Sequence, residues 1–310
     1  MNRLVAIVGP TGVGKTRLAL QIAQQFNGEI INADSRQVYR YMDIGTAKPE
    51  PAELALVPHH IIDIINPDEE FGLSQYQELA NRAIDDIQRR GKLPLLVGGT
   101  GQYVRAVLEG WVIPAVAPDP EFRLGLQKRA DRGESAELYQ ELVRVDPVAA
   151  QNIDSRNVRR VIRALEVSHH TGVPFSGLQR KKAPPFDSLI IGLTAGRTEL
   201  YRRIDSRVDI MLDRGLVKET KNLVSMGYGF DLPSMSGIGY KQIGQYLQGE
   251  ISLETAKDQI KFETHRLARH QYAWFRLSDK RIQWFDVEGD VEALFQHYII
   301  NQPWLADFHR

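Results

Sequence analysis

Cysteine is absent from the 310-residue chain. Disulfides, thiolate-bound zinc and a cysteine nucleophile are thereby excluded. Net charge is absent too, since 39 Lys and Arg balance 39 Asp and Glu. Bulk attraction to a polyanion is therefore no driving force. A local basic surface stays open, because fields follow distribution as well as sum. No apolar run approaches the roughly 20 residues that a membrane helix needs. The longest, residues 4–8 and 93–97, have strand length. No signal-peptide pattern opens the chain; with cysteine missing, a cytoplasmic location is expected and no membrane partner.

What is present is alternation. Residues 4–8 form an apolar run closed by glycine, and 17–26 show helical spacing with Leu18, Ile22 and Phe26 at steps of four. Strands are predicted at 29–33 and 60–64, and a helix at 75–90 with Leu79, Ala83 and Ile87 on its buried face. A strand at 93–97 ends in Gly98-Gly99, its Pro94 tolerable near a strand start. Such alternation implies a parallel sheet with helices on both faces. Pro114, Pro118 and Pro120 mark a boundary after Val112. From 120 to 172 only helices are predicted, one with Val158, Val161, Ile162 and Leu165 on one face and Arg156, Arg159, Arg160 and Arg163 on the other. A basic linker at 180–185 leads to a strand at 189–193, helices at 199–214 and 255–275, a strand at 281–287 and a C-terminal helix. The predicted fold class is α/β: a P-loop NTPase-like parallel sheet flanked by helices, over 1–114 and 186–310, with an inserted helical subdomain at 115–185.

Gly9-Pro10-Thr11-Gly12-Val13-Gly14-Lys15-Thr16 matches G-x-x-x-x-G-K-[ST] between a strand and a helix, the context in which the motif is informative. Its glycines let backbone N–H groups turn inward around phosphate oxygens, and the helix adds its positive end. Lys15 offers a point charge, and Thr16 a hydroxyl ligand for Mg²⁺. The 93–97 strand offers no acid at its end, whereas the 29–33 strand is followed by Asp34. Both strand ends open on one crevice in a parallel sheet. The arrangement suits a small phosphate or diphosphate substrate better than a motor.

Asp34-Ser35-Arg36-Gln37-Val38-Tyr39 is followed by Gly45-Thr46-Ala47-Lys48-Pro49, by Leu95-Leu96-Val97-Gly98-Gly99-Thr100-Gly101 and by Arg163-Ala164-Leu165-Glu166-Val167. Arg203-Ile204-Asp205-Ser206-Arg207-Val208-Asp209 and Gly237-Ile238-Gly239-Tyr240-Lys241-Gln242 come later. From about residue 3 to 285 the chain resembles the tRNA dimethylallyltransferases, the bacterial tRNA isopentenyltransferases. The resemblance implies transfer of a dimethylallyl group from its diphosphate to the exocyclic amine of the adenosine directly 3′ of the anticodon. It implies diphosphate binding by Gly9 to Thr16, Mg²⁺ on Thr16 as cofactor, and a monomer. Asp34 is expected as general base, with Mg²⁺ ligation left open for it, and Arg207, Lys15 and Thr16 as the groups that stabilise the leaving diphosphate. Contacts to the anticodon stem-loop are expected from Asp34, Ser35, Arg36, Gln37, Thr100, Arg123, Arg159, Arg160, Val161, Ile162 and Arg163.

The residues themselves allow blander readings. Asp34 suits a turn, Thr100 a helix N-cap, Gln37 a turn, and Arg203 and Arg207 a solvated helix face. Between 156 and 182 seven Lys and Arg stand against one acid, Glu166. That is either a solvated face or an RNA-backbone surface. His265, Arg266, Arg269, His270 and Arg276, interleaved with Tyr272 and Trp274, make a second stripe with the same two readings. His59 and His60 read as structural. The competing functions are a nucleotide-dependent small-molecule kinase, a prenyl transferase acting on free adenine nucleotides, and a nucleotide-switched RNA-binding protein.

Overall fold

The structure, a computed structural model, describes residues 3–114, 116–178, 180–184, 186–288 and 303–308. Two compact units divide the chain: Met1–Leu108 with Pro184–Arg310, and Glu109–Ala183.

In the first unit the chain runs β1 (Arg3–Val8), α1 (Lys15–Gln25), β2 (Gly28–Asn32), α2 (Pro51–Leu56), β3 (His59–His60), α3 (Leu73–Arg89), β4 (Leu93–Val97) and α4 (Gly101–Leu108). The second unit holds β5 (Trp111–Val112), α5 (Pro120–Asp131), α6 (Ser135–Val145), α7 (Pro147–Asn152), α8 (Val158–Thr171), α9 (Phe175–Leu178) and β6 (Arg180–Lys181). The first unit then resumes with β7 (Asp187–Thr194), α10 (Arg197–Asp213), α11 (Leu216–Ser225), α12 (Tyr240–Leu247), α13 (Leu253–Trp274), β8 (Ile282–Asp286) and a 3-10 turn at Pro303–Phe308.

Six strands form one sheet in the order β3-β2-β4-β1-β7-β8, and every pair in it is parallel. β1 and β4 are buried almost throughout, as strands covered on both faces must be. On one face Leu18 and Ile22 of α1 pack with Ile7, Ile30 and Leu95. On the other, Tyr76 and Ile84 of α3 pack with Leu4, Ile31 and Leu96. The order places the ends of β1, β4 and β2 side by side.

Four expectations need correction. The strand predicted at 60–64 stops at His60. Beyond it Ile61 and Asp63 adopt φ of 62° and 55°, and the Asp63 and Ile64 N–H groups donate to the carbonyls of Gln37 and Val38 instead of a strand. α3 buries Tyr76, Ala80, Ile84 and Ile87 and leaves Leu79 exposed, so its buried stripe lies one residue round from the predicted one. The basic linker is in part a strand, β6, paired antiparallel with β5. α11 and α12 have no counterpart in the prediction; Gly215 and Gly239, with φ of 100° and 97°, turn the chain into them. The predicted C-terminal helix falls largely outside the described residues.

The helical unit has its own core of Leu126, Leu138, Leu142, Val161, Ile162 and Leu165. Asp119, Asp146 and Asn157 cap α5, α7 and α8 by accepting from backbone N–H groups. Beneath them Glu166 is wholly buried and accepts from Arg123 at 2.8 and 2.9 Å, from Arg163, and from the Asp119 N–H.

Candidate active site

β1 delivers the chain into the phosphate loop. Gly9, Gly12 and Gly14 take φ of 141°, 83° and 100°, backbone that side-chain-bearing residues rarely adopt. At Gly9 a Cβ would also meet the Leu193 carbonyl oxygen at 2.3 Å. Lys15 lies under the loop, donating to the Gly9 and Pro10 carbonyls at 3.0 and 2.8 Å. Burial pulls its ammonium down to about 8; the Asp34 charge opposes this and Arg207 adds to it.

Arg207 comes from α10, on the side of the helix that also buries Leu200, Ile204 and Met211. Its Nη2 donates to Thr11 Oγ1 at 2.6 Å. Its Nε is buried with no hydrogen-bond partner among the described residues. Burial lowers its pKa and Asp34 opposes the shift. A guanidinium left partly unsatisfied beside a phosphate loop is a group prepared for an anion.

β2 delivers Asp34. Asn32, buried at the strand end, accepts from the Asp34 N–H at 3.0 Å and donates to the Asp34 and Ile61 carbonyls. Asp34 Oδ1 accepts from the Arg36 N–H at 2.8 Å, so the turn role is real. The carboxylate nonetheless lines a cavity of about 270 Å³ together with Lys15, Thr16 and Arg207, and it is the one acidic residue on that wall among the described residues. Thr100 Oγ1 accepts from the Ser35 N–H at 3.0 Å, while its carbonyl starts α4 by accepting from Val104. Gln37 also lines the cavity, its amide donating to the Thr46 and Ala47 carbonyls at 3.2 and 3.0 Å. Arg36 donates to the Pro233 and Ser234 carbonyls.

In the helical unit the expected residues divide. Arg159 and Arg160 are exposed on the first turn of α8, and neither side chain has an ion-pair partner among the described residues. Arg123 and Arg163 are committed to Glu166. Val161 and Ile162 are core residues, 1% and 5% exposed, so their side chains offer nothing to a ligand. Arg203 pairs with Glu199 and the Val287 carbonyl. The 265–276 stripe is largely internal in its aromatics: Tyr272 bonds Thr194, Arg105 lies over Trp274, and His265 stacks on Tyr201.

Sequence reasoning missed Gln271. From α13 its Oε1 accepts from the Thr11 N–H at 2.7 Å and its Nε2 donates to the Gly99 carbonyl at 3.1 Å, tying the phosphate loop to the end of β4. Glu219 was missed as well; it gathers the N–H groups of Asp43, Ile44 and Gly45. Neither has a local sequence signal, because both act across long stretches of chain.

The donors suit a hard cation. Thr16 and Asp34 both line the cavity and offer a hydroxyl and a carboxylate oxygen, the kind of donor from which Mg²⁺ takes one or two ligands while substrate phosphates and water fill the rest. Among the described residues no three His, Asp or Glu cluster as an all-protein metal site, and no helix is long and apolar enough to cross a membrane.

Fold and site together define a P-loop α/β protein whose cavity at the phosphate loop carries, among the described residues, a single carboxylate. The family model for IPP transferase matches residues 37–278, and that for isopentenyl transferase matches 2–64. Curated tRNA dimethylallyltransferases are similar over nearly the whole chain. That of Dehalococcoides mccartyi is 50% identical across 98% of this chain and 93% of its own; that of Herpetosiphon aurantiacus is 54% identical across 99% and 97%. The crystal structure of the full-length tRNA isopentenylpyrophosphate transferase of Bacillus halodurans is 42% identical, with a TM-score of 0.71 over 96% of this chain and 94% of that one. A eukaryotic dimethylallyltransferase acting on tRNA superposes with a TM-score of 0.80 at 29% identity, over 97% of this chain and 77% of that one. The chain belongs to the tRNA dimethylallyltransferase family of prenyl transferases.

Proposed function

We propose that the chain transfers the dimethylallyl group of dimethylallyl diphosphate to the exocyclic amine of the adenosine directly 3′ of the anticodon, releasing diphosphate. The observation that carries this reading is the meeting of Asp34, Lys15, Thr16 and Arg207 on one cavity at the phosphate loop. The amine nitrogen attacks the allylic carbon as the carbon–oxygen bond breaks. Asp34 receives the amine proton, a contribution worth about 10²–10⁴-fold for a positioned general base. Lys15, the loop amides and the unsatisfied edge of Arg207 face the charge that gathers on the departing diphosphate. Thr16 would hold Mg²⁺, with Asp34 the carboxylate that lines the same cavity; when bound the ion supplies further positive charge to the leaving oxygens.

The adenosine must leave its stack to enter, which costs a few kcal/mol and least in a single-stranded loop. Gln37, its Nε2 spent on the Thr46 and Ala47 carbonyls, offers its Oε1 as an acceptor for the adenine amine. Of the arginines expected to meet RNA in the helical unit, Arg159 and Arg160 are without ion-pair partners among the described residues, and Arg123 and Arg163 hold α5 on α8 through Glu166. One chain carries every group named, which supports a monomer, and tRNA as acceptor supports a cytoplasmic location.

The test is transfer of labelled dimethylallyl from its diphosphate to unmodified tRNA, with wild type beside Asp34→Ala. Label in tRNA that is lost in the variant is the expected result. Label in free adenine nucleotide instead would overturn the choice of acceptor, and ATP consumption without label would replace the reading with a kinase.

A further inference from the structure

The reaction described above leaves one buried amide without a role. α13 turns Ile260, Thr264, Ala268 and Gln271 into the interior. Thr264 spends its hydroxyl on the Ile260 carbonyl of its own helix. Gln271 instead reaches out of the helix, accepting from the Thr11 N–H at 2.7 Å and donating to the Gly99 carbonyl at 3.1 Å. A backbone N–H only donates and a carbonyl only accepts, so the two partners fix which end of the amide is which. Gly99 makes room for it, since a Cβ there would stand 2.2 Å from Gln271 Nε2.

This clamp has two consequences in the phosphate loop. Pro10 has no N–H, and that of Thr11 is taken by Gln271. Past Gly9, the amides that a diphosphate can claim therefore begin at Gly12. Thr11 Oγ1 is also the acceptor of the Arg207 Nη2 bond at 2.6 Å. Thr11 thus stands between two helices, its N–H held by α13 and its hydroxyl oxygen holding a guanidinium of α10. A Thr11 free to turn would carry that guanidinium with it. The Nε of Arg207, buried with no hydrogen-bond partner among the described residues, keeps its aim only while Thr11 keeps its place.

We propose that Gln271 is a positioning residue for prenyl transfer: by fixing Thr11 it fixes the guanidinium of Arg207 against the diphosphate, as that group departs with the electron pair of the broken carbon–oxygen bond. The inference rests on the prenyl-transfer reading above. Lys15 and the remaining loop amides meet the charge that the bound donor already carries. Arg207 counts most as further charge gathers in the transition state. Loss of the clamp therefore falls on the rate of the bound complex and leaves donor affinity nearly unchanged. A tie that served the fold alone would change the amount of folded protein and not the rate per folded molecule.

The experiment follows transfer from dimethylallyl diphosphate to an unmodified anticodon stem-loop RNA by the full chain. Rates are taken per folded molecule, counted from the amplitude of the thermal melt. Gln271→Met keeps the length of the side chain and loses both bonds. Its kcat should fall about 10–100-fold, with the donor KM within about threefold of wild type. Thr11→Val, which keeps the N–H and loses the hydroxyl, should show the same split. The double variant should be no slower than the slower single one, because both changes reach Arg207 through one link. Gln271→Glu, which keeps the acceptor for Thr11, should recover part of the rate that Gln271→Met loses. The proposal is overturned by a kcat unmoved in Gln271→Met, by a loss that appears in the donor KM instead, by losses that multiply in the double variant, or by a Gln271→Glu no faster than Gln271→Met. No transfer by wild type removes the prenyl-transfer reading itself, and this inference with it.

Discussion

Asp34 bears two loads at once, one oxygen closing the turn to Arg36 and the carboxylate facing the cavity. Asp34→Asn keeps the turn acceptor and removes the base. Single-turnover transfer should fall about 10²–10⁴-fold while binding of the donor diphosphate persists. Lys15 sets a pH limit. Its ammonium, held near 8 in the folded chain against 10.5 for an unperturbed lysine, is the form that a diphosphate needs. Between these values the folded, ligand-free protein binds fewer protons than the unfolded chain, so stability rises with pH across the window. Binding of an alkyl diphosphate must restore the proton. Its affinity should weaken above pH 8 by up to about tenfold per unit, and calorimetry in two buffers of different ionisation enthalpy should show the uptake. Lys15, Thr16, Asp34 and Arg207 were legible in the sequence because motif spacing and strand ends placed them. Gln271 was not, since its partner Thr11 lies across most of the chain.

Among elements, one close approach is at the end of β4. A Cβ on Gly98 would lie 2.1 Å from the Ala33 carbonyl oxygen, and one on Gly99 2.2 Å from Gln271 Nε2. Gly98→Ala should cost about 1–3 kcal/mol of stability, read as a lowered melting temperature. In α8 the buried Glu166 is decisive. Burial pushes its carboxyl up, but Arg123, the Asp119 N–H and Arg163 together hold it below the usual range. Its stabilisation is therefore present above about pH 4.5 and lost as pH falls through the folded value. Glu166→Ala should destabilise the helical unit by about 1–3 kcal/mol, since the guanidiniums left behind are partly exposed, and this is seen as faster hydrogen exchange over residues 120–172. Most of the helices and parallel strands were legible from periodicity, but α2, α11 and α12 were not. β6 was not, because Arg180 and Lys181 have no apolar pattern and become a strand only by pairing with Trp111 and Val112.

At the scale of the molecule, zero net charge coexists with two guanidiniums free on α8. Their removal in an Arg159→Ala, Arg160→Ala double variant should flatten the dependence of log K for tRNA on log salt, measured by filter binding. The slope should change by roughly 0.7–0.9 for each RNA phosphate that is no longer neutralised. The affinity for the prenyl diphosphate should stay as it was. The sheet has a further consequence, for synthesis. β1 pairs with β7 from Arg3↔Asp187 to Val8↔Gly192, and the whole helical unit is encoded between them. While the ribosome makes that unit, β1 has emerged with one edge unsatisfied, a surface that invites wrong pairing. The helical unit, built from local contacts, completes itself first. The phosphate loop at the end of β1 gains its last wall, and Arg207, only after it.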